Sequence, residues 1–179
     1  MPGSGKGTCT DYMGEAYRWP VIHFGNAMYD ELVKQGYDRV KDENWFRKKL
    51  RDDHGPAVLA MLVSNQADEY AANGEKVIVL DGLYSWTEYK YLHSRYGDNL
   101  TVIAVTAPRK LRYERILKRQ DSYRKYTSVD QIIEREITEI ENIEKGGPIA
   151  YADYTIVNDS TPEDMKNKLE SILKTEDIL

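Results

Sequence analysis

Met1-Pro2-Gly3-Ser4-Gly5-Lys6-Gly7-Thr8 opens the chain and decides its reading. A glycine-rich turn of this kind points successive backbone N–H groups inward at a phosphate. The positive end of the helix behind it adds to the attraction. The lysine ammonium then reaches the outer phosphates. Gly3, Ser4, Gly5, Lys6, Gly7 and Thr8 are therefore the candidate phosphate-binding residues, with Thr8 on the phosphates or the metal shell. The pattern G-x-x-x-x-G-K-[ST] would start just before Met1, and Gly7 follows Lys6 where the pattern has Ser or Thr. The competing reading is a glycine-rich tail with a chance lysine. A helical pattern follows the stretch at once, as the loop's structural context requires.

The bulk composition bounds the rest. A chain of 179 residues is one domain of ordinary size. Charged residues make up 31% and the formal net charge is -5. That balance argues against a dedicated nucleic-acid binder, whose affinity rests on neutralising phosphates. Local basic clusters can still serve a small anionic substrate. The single cysteine, Cys9, excludes an internal disulfide framework and a multi-cysteine metal site. Just behind the loop, it reads as a buried small residue rather than a reactive thiol. The N-terminus has no apolar signal segment and no apolar run approaches membrane-spanning length. The expectation is a soluble, cytoplasmic protein with no membrane partner.

Short apolar runs alternate with longer amphipathic segments, the α/β signature of a parallel sheet covered by helices. Strands are expected at Val21–Phe24, Val77–Leu80, Val102–Val105 and Tyr154–Val157. Helices should run from the loop to Tyr17, from Ala27 to Gln35 and from Pro56 to the Asn73-Gly74 stop. Further helices should follow Trp86 and begin near Pro108. Ser128-Val129-Asp130-Gln131 has capping-box form before an apolar stripe of Ile132, Ile133, Ile137 and Ile140. Thr161-Pro162 starts the last helix, with Met165, Leu169, Ile172 and Leu173 as its buried face.

Asp81 closes the run Val77–Leu80 at the carboxyl edge of the sheet, where ligands of open α/β sheets bind. A carboxylate there can order the hydration shell of a magnesium ion bridging the β- and γ-phosphates of ATP. A solvated turn aspartate before Gly82 is the bland alternative.

These motifs resemble the adenylate-kinase-like P-loop small-molecule kinases, close to the dephospho-coenzyme-A kinase branch. Pro2 to Thr8 is similar to the loop G-x-P-G-S-G-K-G-T. Gly25-Asn26-Ala27-Met28-Tyr29 stands where the family has T-G-D-x-x-R, and Asp81 to Ser85 where it has D-G-[FY]-P-R. Glu114 to Arg119 resembles the R-I-x-x-R run that enters the lid, and Ala152 to Asn158 the ending A-D-x-x-I-x-N. The resemblance implies a three-layer P-loop NTPase fold whose parallel sheet, in order 2-3-1-4-5, carries helices on both faces. It implies one domain over residues 1–179, an acceptor-side helical insertion at 26–73 and a small helical lid at 115–145. Strand 1, which should feed the loop, is absent from the sequence or truncated. Without it two neighbouring strands keep unpaired backbone groups. A start placed too late, a truncated fragment and a genuine four-stranded variant are the three readings.

The resemblance further implies that Arg115 and Arg119 lie against the nucleotide and its phosphates. Arg135 resembles a lid arginine closing over the transferring phosphoryl group, Asn158 is a nucleotide-binding position, and the loop after Asn158 borders the adenine. Cations are needed there because the transition state spreads negative charge over the phosphoryl oxygens. Arg115 and Arg119 stand four residues apart, on one helical face. A solvated surface charge is the alternative for each.

The acceptor side departs from the family. Tyr29 and Ser85 replace two arginines that grip an acceptor phosphate, and Asn26 replaces an aspartate. Neutral side chains cannot supply the bidentate charged contact. Asn26 can hydrogen-bond a substrate hydroxyl but cannot act as a carboxylate base. Among Lys41, Arg47, Lys48, Lys49 and Arg51, the substrate-phosphate role is assigned to Arg51, against an exposed mixed-charge helix as the alternative. His23 reads as a packed or capping histidine. Arg109 to Lys125 is basic with Tyr113 and Tyr123 interleaved, a pattern that can bind single-stranded RNA. Glu114 and Asp121 interrupt it, and a lid over ATP explains the same residues.

The expectation is an ATP- and magnesium-dependent kinase with Lys6, Asp81, Arg119 and Arg135 as catalytic residues. Its partner is a small-molecule acceptor, either a nucleoside monophosphate or a coenzyme-A precursor, bound by Asn26, Arg51 and Gly82. The alternatives are a degenerate kinase that senses ATP, or a P-loop ATPase with an RNA or protein partner.

Overall fold

The computed structural model describes residues 1–39, 41–119 and 126–179, with the side chain of Asn44 excepted. The described residues fall into two compact units, Met1–Tyr12 with Thr101–Leu179, and Met13–Leu100.

The first unit holds the opening loop and the start of α1 (Lys6–Tyr17), which continues into the second. It also holds β3 (Ile103–Thr106), α6 (Arg109–Lys118), α7 (Val129–Ile143), the short α8 (Gly146–Ala150), β4 (Tyr154–Val157) and α9 (Pro162–Thr175). Strands β3 and β4 pair in parallel, Ile103 opposite Tyr154 through Thr106 opposite Val157. Helix α9 begins as the sequence predicts: Thr161 Oγ1 accepts from the Asp164 amide and Pro162 occupies the first turn. Its face of Met165, Leu169 and Leu173 is buried.

The second unit holds β1 (Val21–His23), α2 (Phe24–Lys34), α3 (Glu43–His54), α4 (Val58–Ala72), β2 (Val79–Asp81) and α5 (Trp86–Tyr96). Its core joins Phe24, Met28 and Leu32 of α2 to Phe46 and Leu50 of α3 and to Val63 of α4. Strands β1 and β2 pair in parallel, with His23 directly opposite Asp81 at their carboxyl ends. Parallel pairing needs a crossover, here supplied by α2, α3 and α4.

The α/β expectation holds: parallel strands alternate with helices, as in a P-loop NTPase fold. Among the described residues the strands form two separate two-stranded sheets, β1 with β2 and β3 with β4. The implied order has these same two neighbour pairs flanking strand 1.

Three local differences have physical causes. Helix α2 starts at Phe24, ahead of the expected Ala27, because the Phe24 side chain is wholly buried and leads the helix's apolar face. Helix α3 is not merely an exposed mixed-charge helix, since Phe46 and Leu50 anchor it in the core. The stripe of α7 is reversed: Ile132 is buried, but Ile133, Ile137 and Ile140 are exposed. Glu136 and Glu139 occupy the buried side instead, because cations of the same unit pair with them.

Ser85 caps α5. Its hydroxyl accepts from the Glu88 amide at 3.0 Å, and Glu88 Oε2 accepts from the Ser85 amide at 3.0 Å, a complete capping box. Ser85→Ala should therefore cost about 1 kcal/mol, read as a lower urea midpoint with unchanged slope.

Candidate functional site

The opening loop is shaped by its own glycines and by what stands behind them. Gly3 and Gly5 adopt positive φ angles of 73 and 97 degrees. A Cβ on Gly5 would lie 2.1 Å from Asn158 Nδ2, and one on Gly3 would lie 2.6 Å from the Arg112 carbonyl oxygen. Both positions thus require glycine twice over, for conformation and for close approach. Helix α1 begins at Lys6, whose side chain is half-buried, while Thr8 is exposed and Ser4 is buried. First-turn amides have no carbonyl of their own helix to bind, so they and the helix dipole favour an anion.

Asn158, at the end of β4, is buried and donates Nδ2 to the Ser4 carbonyl at 2.8 Å. Arg115 of α6 donates to the Gly3 carbonyl at 3.5 Å and to the Asn158 carbonyl at 3.2 Å. The structure thereby brings Gly3, Ser4, Gly5, Arg115 and Asn158 together. Asn158→Ala should leave the loop less fixed and weaken ATP affinity about tenfold, measurable by calorimetry, through loss of one buried hydrogen bond.

Arg119 does not share a helical face with Arg115. Helix α6 ends at Lys118, and Arg119 follows with extended backbone and an exposed side chain. Arg135 is half-buried on α7: its Nε donates to Glu139 Oε1 at 2.8 Å and its Nη1 to the Tyr126 hydroxyl at 2.6 Å. Glu139 also accepts from the buried Lys145 at 2.5 Å. Burial pushes the Glu139 carboxyl up, but Lys145 and Arg135 together hold it below the usual carboxylate range. A neighbouring pair is buried too. Arg112 binds Glu136 through both terminal nitrogens and also donates to the Pro2 carbonyl at 3.2 Å. Sequence reading missed Arg112, Lys145, Glu136 and Glu139, because charges in amphipathic helices read as surface. Only the (i, i+4) spacing of Arg135 and Glu139 signalled a pair. Tyr123, Asp121 and the part of the expected lid at 120–125 lie outside the described residues.

Cys9 is buried as expected, and burial pushes its thiol up to about 11. It is therefore uncharged at neutral pH. Labelling by a thiol reagent should be slow in the native protein and rapid after denaturation. Rapid native labelling would contradict the burial.

In the second unit, Asp81 ends β2 and its Oδ2 lies 2.8 Å from Nδ1 of His23. Asp81 is thus not a solvated turn residue, and His23 neither packs away nor caps α2 through its side chain. Register explains the pair, since the two residues face each other at adjacent strand ends. Gly82 follows with φ of 109 degrees. Asn26 is exposed in the first turn of α2. Tyr29, which holds the position of a family arginine, has the Arg39 guanidinium over its ring at 4.4 Å. Arg51 is half-buried on α3, where burial disfavours its charge and the Glu88 carboxylate supports it. Glu88 is itself buried, and burial raises its carboxyl above the usual range.

Comparison with known proteins follows the same lines. A family profile described as an AAA domain matches residues 1–133. A UPF0200 protein of Sulfurisphaera tokodaii is 35% identical over 97% of this chain and 92% of its own length. A UPF0200 protein of Methanococcus maripaludis is 33% identical, with the same coverage of 97% and 92%. The crystal structure of TT1252 from Thermus thermophilus superposes with a TM-score of 0.63 at 20% identity, covering 97% of this chain and 93% of that one. Shikimate kinase from Aquifex aeolicus gives 0.54 at 15% identity, covering 96% and 91%. At these identities the structures speak for the fold alone. Among the described residues, no helix is long and apolar enough to cross a membrane.

Proposed function

Because the chain belongs to the AAA-domain P-loop family and to the UPF0200 proteins, we propose that it transfers the γ-phosphoryl group of ATP to a small-molecule acceptor. One observation carries the reading: the glycine loop at the start of α1 is locked by Asn158 and Arg115 into a fixed turn. A loop fixed before ligand arrives loses little freedom on binding, so its amides act at full strength on a polyanion.

The roles follow residue by residue. The loop amides of Gly3 to Thr8 cradle the phosphates and Lys6 neutralises the transferring group. Arg115 and Asn158 hold the loop and border the nucleotide. Arg119 and Arg135 stabilise the phosphoryl oxygens, Arg135 by giving up Glu139 for a stronger anion. Thr8 and Asp81 are oxygen donors of the kind magnesium takes. When bound with ATP, that ion would draw charge off the β- and γ-phosphates. Asn26, Arg51 and Gly82 are the acceptor-side residues, for a nucleoside monophosphate or a dephospho-coenzyme-A-like molecule.

A specific observation supports the rival, an ATP-binding sensor without an acceptor. Ser85 is committed to capping α5, so it offers an acceptor phosphate no charge. An acceptor panel decides between the two. Purified protein with ATP and magnesium is offered nucleoside monophosphates, dephospho-coenzyme A and shikimate. Phosphorylated product supports the kinase. Tight ATP binding with no product supports the sensor. Hydrolysis stimulated by RNA, and indifferent to every small acceptor, supports an ATPase acting on a macromolecule. Absence of any ATP binding overturns all three.

A further inference from the structure

Strand register sets two unlike side chains face to face in the second unit. His23 ends β1 and Asp81 ends β2, directly opposite each other in the parallel pair. Nδ1 of His23 lies 2.8 Å from Oδ2 of Asp81. A carboxylate can only accept, so Nδ1 carries the proton, and in the neutral ring Nε2 is left with a lone pair. Among the described residues Nε2 has no hydrogen-bond partner. The imidazole is 38% exposed and the carboxylate 11%, so the ring is the accessible member of the pair. Carboxyl ends of parallel strands are where open α/β sheets bind their ligands.

Asn26 is exposed three residues beyond His23, in the first turn of α2. His23 holds the cap position of that helix and Asn26 the third, the two places whose side chains meet in a capping box. His23 makes no cap bond, because its ring is turned to Asp81 instead. An alcohol fits these groups and a phosphate does not. The O–H donates to Nε2, and its oxygen can accept from the Asn26 amide. Phosphate oxygens would meet a lone pair at Nε2 and, behind it, the Asp81 carboxylate, a like charge in a partly buried place. Tyr29 and Ser85 stand where the adenylate-kinase-like pattern has arginines that grip a phosphate, and Ser85 is taken up in capping α5.

Building on the phosphotransfer reading above, we propose that His23, held by Asp81, binds the hydroxyl of the acceptor, so that the chain phosphorylates an alcohol rather than a phosphate. The new bond joins the alcohol oxygen to the γ-phosphorus of ATP. The bond from that phosphorus to the β,γ-bridging oxygen breaks, ADP leaves with the electron pair, and the alcohol proton passes to solvent. The product is a phosphate monoester, not an anhydride. His23 is then a binding residue that aims the hydroxyl, and Asp81 fixes the ring that does the aiming.

Product linkage and two variants test this. The full chain with ATP and magnesium is offered dephospho-coenzyme A, shikimate and nucleoside monophosphates, and phosphorus NMR reads the product. A monoester resonance is expected. For the acceptor that reacts, H23N should raise KM about tenfold through loss of one hydrogen bond, while KM for ATP stays that of the parent. Asparagine sets its amide where Nδ1 stands, so it keeps the Asp81 contact and loses only Nε2. Glutamine carries its amide on to the place of Nε2, so H23Q should recover part of the loss. A residue that merely ties the two strand ends together would give the reverse order, with H23N like the parent and H23Q worse. That order overturns the proposal, and so does an anhydride product, and in both cases the phosphotransfer reading survives. No product from any acceptor overturns that reading, and the alcohol acceptor with it.

Discussion

Lys6→Ala is expected to cut phosphoryl transfer by about a thousandfold while leaving the melting temperature within about 2 °C of the parent. The asymmetry follows from where the residue stands. Lys6 is half-buried at the first position of α1, and in the proposed reading its charge serves the bound anion rather than the packing. Alanine is the best helix former, so the helix loses nothing by the exchange. The transition state loses a cation at the place where charge develops. Turnover of ATP against a working acceptor, paired with a thermal melt, gives both numbers on one preparation. Equal proportional losses of stability and rate would show that the lysine holds the fold rather than the phosphate. Lys6→Arg separates charge from geometry further: it keeps the charge but brings a planar fork in place of a compact ammonium. It should recover affinity for ATP more than it recovers rate.

Glu136→Ala should be the most damaging change to stability in the first unit, at roughly 3–5 kcal/mol. Glu136 and Arg112 are both about 8% exposed in their side chains, and Tyr113 also donates to Glu136, at 2.9 Å. Removing the carboxylate leaves a buried guanidinium without its counter-charge and a buried phenol without its acceptor. Arg112 also binds the Pro2 carbonyl, so the damage reaches the loop directly. Urea unfolding should show the loss as a lower midpoint at nearly constant slope. Replacing both members by apolar residues, as in R112M/E136L, should recover much of it, because a buried ion pair contributes little net stability against a well-packed apolar pair. If the single and double variants unfold alike, the pair does not act as a unit.

The opening octapeptide, the four strands and the α9 cap were legible because each depends on short-range rules. Glycines permit a tight turn, apolar runs bury, and Thr-Pro starts a helix. Asn158 and Arg115 are marked in the sequence only by their place in family motifs, and the structure gives the physical reason for them in two hydrogen bonds to loop carbonyls. What escaped was everything set by partners far away in sequence. Glu136 and Glu139 look like the solvated side of an amphipathic helix until Arg112 and Lys145 are placed beside them. The isoleucines of α7 look like a core face for the same reason. Periodicity reports that a helix has two sides, and only the neighbours decide which one is inside. The His23–Asp81 contact needed the β1–β2 register, which no local signal supplies. Arg119 falls one residue past the end of α6, and nothing in its neighbourhood marks Lys118 as the last helical residue.

The hydrogen bond from Asn158 to Ser4 spans 154 positions. During synthesis the loop is made well before the side chain that fixes its turn. A nascent chain without Asn158 has the glycines and the lysine but no clamp. The turn is therefore fixed only once Asn158 has been added, and such distant closure slows folding.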